Sequence, residues 1–237
     1  MKLRMNKILL GASIILALAS CSKKDNYQGP DASLEGNAFV EGSSDKVQTC
    51  TGNFTIRLEQ LSWSDNPEPF DIPIKIDGTY KNSKLFGGHY RVSIHGGAFW
   101  PTAPEEMDIS MGSKFDFQLT PYLFINNFTT EMVDSTTLKL KFDLEAPTEG
   151  MPTITEIQPF VNTTSIVGPG ASIYDFSDVN KVAVKKEWAD LTPAEKSREI
   201  IIPNLIKGRS FFVRVGVRFN NDDKSYNLSE VLKVNIP

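Results

Sequence analysis

The sequence predicts an all-β protein made of two consecutive β-sandwich domains. Apolar and polar residues alternate in short runs, turn residues separate these runs, and the runs fall into two groups. Successive side chains of a strand point to opposite faces of its sheet, so such a run buries one face and wets the other. This pattern is typical of sandwiches formed by antiparallel sheets.

The first group of runs predicts a domain over residues 31–124. Runs that begin at Phe54, Ile72, Tyr90 and Phe115 each place every second residue in an apolar set. Asp77-Gly78 and Gly87-Gly88 lie between runs and provide residues that favour turns. The alternation stops at the Asn126-Asn127 pair, so we place the domain boundary at about residues 123–127.

The second group predicts a domain over residues 125–237. Alternating runs cover Leu138 to Leu144 and Phe211 to Phe219, and Val231 to Ile236 forms the last strand. In the Phe211 run, Arg214, Gly216 and Arg218 are interleaved with the apolar residues, which assigns them to the opposite face. Between the runs, Thr192-Pro193-Ala194-Glu195 is a helix-start signal, so we expect one short helix or turn there.

The N-terminal 20 residues read as a signal peptide. Lys2, Arg4 and Lys7 precede an apolar run from Ile8 to Leu18, which is shorter than the roughly 20 residues of a spanning helix. Leu18-Ala19-Ser20-Cys21 resembles the lipobox of bacterial lipoproteins. The resemblance implies cleavage before Cys21 and a lipid on its thiol, with residues 21–30 as a polar tether.

Composition excludes several classes of partner. Removing residues 1–20 leaves 22 lysines and arginines against 29 acidic residues, which disfavours nucleic acid and other polyanions. Cys50 is then the single cysteine not committed to lipid, so the mature chain forms no intrachain disulfide. We interpret Cys50 as a small semi-buried residue rather than a reactive thiol.

The sequence resembles known families in three respects. Asp77-Gly78-Thr79-Tyr80, followed by Leu85 to Val92, resembles a hairpin of transthyretin-like, carboxypeptidase-regulatory-type sandwiches. The last two strands resemble those of a fibronectin type III or Ig-like sandwich. The opening over residues 25–36, together with Gly97 to Pro101 and Thr120 to Leu123, resembles a family of Bacteroidota surface lipoproteins often encoded beside SusC/SusD-type nutrient importers.

Tryptophans are the candidate ligand-binding residues, because an indole packs on sugar C–H surfaces while its N–H donates a hydrogen bond. Trp63 precedes a polar turn with Asp65 and Asn66, Trp100 precedes Pro101, and Trp188 belongs to an irregular segment. Core packing is the alternative for each of the three. Asp134-Ser135-Thr136 also resembles the Bacteroidota O-glycosylation motif, which would place a glycan on Ser135.

Other residues point to no catalytic or metal chemistry. His89 and His95 would lie about 20 Å apart on one strand, too far to share a metal. Asn220 to Asp223 lacks the spacing of an EF-hand loop, so we interpret it as a solvated turn rather than a calcium site. Sequence motifs of common hydrolases are absent, and we expect neither cofactor nor enzymatic activity.

These observations leave three hypotheses of function. The first is a non-catalytic outer-membrane surface lipoprotein that binds oligosaccharide or peptide for a SusC/SusD-type importer, as the family resemblance implies. The second is a structural or adhesive lipoprotein without a small ligand, and the third is a hydrolase. A cluster of exposed aromatic side chains favours the first, a large exposed apolar patch the second, and a cleft with paired carboxylates the third.

Overall fold

A computed structural model describes residues 28–237, and these residues form an all-β protein of two sandwich domains. The signal peptide, Cys21 and most of the tether lie outside the described residues. The strands are β1 (Ala32–Val40), β2 (Phe54–Gln60), β3 (Phe70–Pro73), β4 (Thr79–Leu85), β5 (Gly88–Gly96), β6 (Glu105–Ile109), β7 (Ser113–Lys114), β8 (Phe117–Leu119), β9 (Phe124–Met132), β10 (Leu138–Glu145), β11 (Ile154–Asn162), β12 (Val182–Lys186), β13 (Ser197–Ile202), β14 (Ser210–Phe219), β15 (Tyr226–Leu228) and β16 (Leu232–Asn235).

The first domain packs two sheets around one core. One sheet has the order β4-β1-β7, with β8 also paired to β1, and the other has the order β3-β2-β5-β6. The predicted alternation is confirmed in β2, where Phe54, Ile56 and Leu58 are buried and the residues between them are partly exposed. These three side chains meet Leu34 and Tyr80 of the facing sheet in a single apolar cluster.

The second domain also packs two sheets, β13-β10-β9 against β12-β11-β14-β15, with β16 paired to β14. Leu138, Leu140, Phe142 and Leu144 of β10 are buried and alternate with more exposed residues, as predicted. The expected short helix is also confirmed: α2 (Pro193–Lys196) has Thr192 as its N-cap in a capping box. A further short helix that we did not predict, α1 (Tyr174–Ser177), packs on β11.

The Asn126-Asn127 pair, which the alternation placed at the domain boundary, lies inside a strand. β9 begins at Phe124 and continues through both asparagines to Met132. Asn127 has φ of 51°, and the pairing of β9 with β10 shifts register between Lys141 and Asp143. The alternation breaks here because of a bulge in β9, and a bulge and a linker look alike in sequence.

Both faces of β14 are buried, contrary to the outward assignment of Arg214. The Arg214 side chain is 1% exposed, and it contacts Thr49 of the first domain as well as Val167 and Ser229 of the second. Its Nη1 donates to the backbone oxygen of Thr49 in the first domain at 2.7 Å, and its Nε donates to the oxygen of Ser229 at 3.0 Å. Burial lowers the pKa of Arg214 to about 10, so the guanidinium remains charged at neutral pH.

Further contacts join the two domains around Arg214. The Asn227 side chain donates from Nδ2 to the backbone oxygen of Ala98 at 2.8 Å, and its Oδ1 accepts from the backbone amide of Leu123 at 2.8 Å. Cys50 of the first domain packs with Phe160, Val167 and Leu228 of the second in a small apolar cluster. The junction is therefore a packed interface with its own polar and apolar contacts. Residues 31–237 form one compact unit.

No helix within residues 28–237 is long and apolar enough to cross a membrane.

Candidate ligand-binding groove at the domain junction

Two adjoining recesses form a groove beside the domain junction. One, of about 340 Å³, is lined by residues that include Asp71, His95 and Tyr226. The other, of about 240 Å³, is lined by residues that include Trp100 and Asp222. Gly96 and Asp223 line both recesses, so the two adjoin at these residues. We call this surface the junction groove.

Glycines at the end of β5 let the second domain approach the first. Gly96 and Gly97 have φ of 79° and 86°, a region that L side chains rarely adopt. A Cβ atom on Gly96 would lie 3.3 Å from Asp223 Oδ2, and one on Gly97 would lie 2.7 Å from the Phe99 ring. Side chains at these two positions would therefore strain the wall of the groove.

The turn between β14 and β15 forms the opposite wall. Asn221 donates from Nδ2 to the Gly97 oxygen at 2.9 Å and accepts from the Ser225 amide at 2.8 Å. This turn was interpreted as fully solvated, but the Asn221 side chain ties it to the first domain. The same bonds hold the exposed carboxylates of Asp222 and Asp223 at the groove.

Trp100 lines the smaller recess of the groove. Its ring packs edge-on against Tyr122, with ring centroids 5.5 Å apart, and Tyr122 packs in turn against Phe219 of the second domain. Trp100 is only partly buried, but its Nε1 is enclosed and has no hydrogen-bond acceptor among residues 28–237. A buried N–H without an acceptor costs about 1–3 kcal/mol, so the indole gains if an acceptor reaches it.

Titratable groups line both recesses. Burial raises the pKa of Tyr122, and the nearby Asp222 carboxylate raises it further. In the larger recess, Asp71 accepts two hydrogen bonds from Arg57, at 2.9 and 2.8 Å, which lower the pKa of Asp71. The groove therefore presents carboxylate oxygens as acceptors together with aromatic rings, an arrangement suited to binding hydroxyl groups.

The structure places Trp63 far from Trp100. β2 and β5 are antiparallel, with Phe54 opposite Gly96 at one end and Gln60 opposite Tyr90 at the other. Trp100 follows the Gly96 end, whereas Trp63 follows the Gln60 end, about 20 Å away along the strands. Trp63 is 82% exposed, and the neighbouring Asp65 and Asn66 are also exposed.

Other residues of the second domain cover the Trp188 ring. It lies in a 3₁₀ turn, Trp188–Asp190, where one side of the ring packs on the core of the second domain. The Lys196 ammonium lies over the ring, 4.1 Å from its centroid. Both contacts occupy the indole, so we leave Trp188 out of the candidate site. Of the three predicted tryptophans, Trp100 alone lies at the junction groove.

Of the remaining residues weighed in the sequence, Ser135 and His89 lie outside the junction groove and His95 lies in its lining. Ser135 is exposed in the turn between β9 and β10, where Asp134 accepts from the Thr136 amide. His89 lies 2.9 Å from Asp108, and this hydrogen bond raises the pKa of His89. His95 is exposed on the same strand and lines the larger recess.

The sequence did not predict that Tyr122, Tyr226 and Asn221 line the groove. Tyr122 lies in a segment that we used only for the family resemblance. The role of Asn221 depends on its contact with Gly97, 124 positions away. No local pattern marks such a pair.

A third recess, of about 610 Å³, lies at another part of the junction and includes Lys46, Phe124 and Glu230 in its lining. Its aromatic residues are phenylalanines, whose side chains have no hydrogen-bonding group. Residues 28–237 contain no cluster of three or more His, Cys, Asp or Glu side chains that could hold a metal ion. We therefore take the junction groove as the candidate binding site.

The two sandwiches and their packed junction define a two-domain all-β protein. The chain belongs to the DUF3823 family. Residues 32–120 match the model described as "Protein of unknown function (DUF3823) N-terminal domain", and residues 123–233 match the "Domain of unknown function (DUF3823_C)". Residues 5–22 match a prokaryotic membrane lipoprotein lipid attachment site, which supports a lipid-anchored membrane location.

Solved structures share this architecture. A DUF3823 family protein from Bacteroides uniformis is 26% identical, with a TM-score of 0.76 over 88% of this chain and 100% of its own. A "putative carbohydrate binding protein" from the same organism is 20% identical, with a TM-score of 0.72 over 87% of this chain and 100% of its own. A DUF3823 family protein from Parabacteroides merdae is 18% identical, with a TM-score of 0.68, 88% coverage of this chain and 100% of its own. A comparison with curated proteins gives no match.

Proposed function

We propose that this protein is a non-catalytic, lipid-anchored surface protein that binds oligosaccharide in the junction groove on behalf of a SusC/SusD-type importer of the outer membrane. The observation that carries the proposal is the lining of the smaller recess, where the Trp100 and Tyr122 rings and the exposed Asp222 and Asp223 side chains line the same cavity.

The chemistry of the groove suits a neutral sugar. Trp100 and Tyr122 offer apolar ring surfaces for C–H groups, and Asp222, Asp223 and Asp71 offer acceptors for hydroxyl protons. The two recesses, of about 340 and 240 Å³, lie within or just below the usual range of about 300–1,000 Å³ for small-molecule sites. Together they give room for more than one sugar unit.

The comparisons agree with this proposal without carrying it. One relative of the same fold bears the name "putative carbohydrate binding protein", and at 20% identity the likeness extends to the fold alone. The lipid attachment site agrees with a role at a membrane surface. The importer follows from the family resemblance that the sequence shows.

The proposal is tested by measuring glycan binding with variants of the groove. We expect the lipid-free protein, residues 22–237, to bind one class of oligosaccharide on a glycan array. Asp222→Ala and Asp223→Ala should each weaken that binding about tenfold, because each removes a charged hydrogen-bond acceptor. Both side chains are exposed, so the melting temperature should stay within about 2 °C of wild type.

Trp63→Ala and Asp65→Ala are the matched controls. Asp65→Ala removes the same residue type as the groove variants, and Trp63→Ala removes the exposed tryptophan beside it; both lie at the opposite end of the first domain. If these variants lose affinity and the groove variants keep it, the site belongs to the Trp63 loop. Binding of peptides but not glycans would replace oligosaccharide as the ligand, and no binding of either would favour the structural or adhesive alternative.

We further propose that Cys21, the one cysteine within the matched attachment site, carries the lipid. In cells fed radiolabelled fatty acid, wild type should incorporate label and sediment with membranes. Cys21→Ser should lose the label and become extractable without detergent, because the thiol supplies the acylated atom. Cys50→Ser is the control and should keep the label. A labelled Cys21→Ser protein would show that the anchor is elsewhere.

A further inference from the structure

Three large apolar side chains are exposed together at one end of the first domain. Trp63 is 82% exposed, Phe86 is 49% exposed and Met111 is 69% exposed. They lie in three different connections: after β2, between β4 and β5, and between β6 and β7. We call this end the Asp31 face, because Asp31 immediately precedes the first strand there.

Hydrogen bonds gather these connections around the start of β1. The Gly87 amide, next to Phe86, donates to Asp31 Oδ1 at 2.8 Å. The Gly112 amide, next to Met111, donates to Ser33 Oγ at 2.8 Å. The His89 amide donates at 3.2 Å to Oγ of Ser62, the residue before Trp63. The three apolar side chains therefore project from neighbouring connections at the same end of the first domain.

The length of chain before Asp31 limits where this face can be. Cys21, the proposed lipid carrier, is ten residues before Asp31, which allows at most about 35 Å between their backbones. An attached lipid holds the face at high effective concentration beside the bilayer, so even weak apolar contacts become populated. Tryptophan is also the side chain that most favours the interface between headgroups and acyl chains, together with tyrosine.

From these observations we infer that the Asp31 face rests on the bilayer that holds the lipid anchor, with Trp63, Phe86 and Met111 inserted into its interfacial layer. The contact gives the anchor a second membrane-binding element. It also sets the orientation of the molecule. The junction groove, which follows the opposite ends of β2 and β5, is then directed away from the membrane.

Charge selects the kind of lipid surface. Asp65 and Glu68, exposed in the Trp63 connection, and the exposed Asp108 carboxylate beside His89 carry negative charge near this face. Anionic headgroups repel these carboxylates, so we expect the contact to weaken as the anionic fraction of the lipid rises. The inference rests on the lipid attachment site and the Asp31 face, and it stands whether or not the groove binds a sugar.

The test measures how deeply Trp63 enters lipid. The lipidated full-chain protein, with its lipid verified by mass, is reconstituted in phosphatidylcholine vesicles that contain brominated acyl chains. We expect bromine to quench part of the tryptophan emission and the quenched part to be blue-shifted. Trp63→Phe should lose this component, because Trp100 and Trp188 lie elsewhere in the fold. Equal quenching in wild type and Trp63→Phe would overturn the inference.

A second measurement uses the lipid-free protein, residues 22–237, and phosphatidylcholine vesicles. We expect weak binding that falls about tenfold or more in the triple variant Trp63→Ser, Phe86→Ser, Met111→Ser. The matched control is Tyr174→Ser, Val179→Ser, Ile206→Ser, which removes three exposed apolar side chains from the second domain. Circular dichroism should show both variants folded. If the control loses as much binding as the triple variant, the contact is not specific to the Asp31 face and the inference fails.

Discussion

Arg214→Ala is expected to lower the free energy of unfolding by about 3–5 kcal/mol. Arg214 is among the largest fully buried side chains, so truncation leaves a cavity. It also removes the donors that serve the backbone oxygens of Ser229 and Thr49, and each unpaired buried carbonyl costs about 1–3 kcal/mol. Removing a buried charge offsets part of this loss, because burial disfavours the guanidinium.

Arg214→Met separates the two causes. Methionine restores much of the lost volume but leaves both carbonyls without a donor, so we expect a smaller loss of about 1–3 kcal/mol. Denaturant unfolding followed by tryptophan fluorescence measures both variants. Arg209→Ala is the control: Arg209 is exposed, and its replacement should change stability by less than about 0.5 kcal/mol. If Arg214→Met were as stable as wild type, the hydrogen bonds of the guanidinium would contribute nothing net.

The Cys50 thiol reports on the same junction. It is 6% exposed, and burial raises its pKa, so the thiolate that reacts with thiol reagents is scarce at neutral pH. We expect slow labelling of the native protein and faster labelling of Arg214→Ala, because the lost bond to Thr49 joins the two domains right beside Cys50. Unchanged labelling would mean that the junction stays closed without Arg214.

Gly36→Ala is expected to cost about 4 kcal/mol or more, the upper range for a single substitution. A Cβ atom on Gly36 would lie 1.7 Å from the Phe115 oxygen and 2.9 Å from the Tyr80 ring. β1 pairs with β7 up to Lys114 and with β8 from Phe117 onward, so the chain between these strands crosses directly over Gly36. Glycine is the residue that leaves room for this crossing.

The Phe115 backbone has little freedom to move away. Its oxygen accepts from the Tyr80 hydroxyl at 2.6 Å, and its amide donates to the Glu35 oxygen at 3.1 Å. A thermal melt of Gly36→Ala beside Gly29→Ala makes the comparison, because a Cβ atom on Gly29 meets nothing within 4 Å. A Gly36→Ala protein within about 1 kcal/mol of wild type would show that the crossing segment yields after all.

Period-two alternation was sufficient to predict the all-β class and several of the strands, such as β2, β10 and β14. Phe54, Ile56 and Leu58 could be assigned to a core from the sequence because their spacing places all three side chains on one face of the same strand. The Thr192 capping box was likewise readable, since all its atoms lie within four residues. Contacts that close within one strand or one turn leave a local signal in the sequence.

The junction groove was only partly predictable. Trp100 was a candidate by residue type, but nothing in the sequence separated it from Trp63 and Trp188. What distinguishes them is the surroundings of each ring: a recess that Asp222 and Asp223 also line for Trp100, solvent for Trp63 and a covering ammonium for Trp188. Each of these depends on which distant segment packs against the indole.

The sequence by itself determined the export and lipid-attachment signal, the all-β class and the strand faces, because each is encoded by neighbouring residues. Tertiary structure alone decided that Arg214 is buried, that Asn221 and Asn227 join the two domains, and that Trp100 and Trp63 lie at opposite ends of the first. The physical reason is that a sheet has two faces, and local alternation shows which residues share a face. What covers that face is set by residues more than a hundred positions away, such as Thr49 for Arg214 and Gly97 for Asn221.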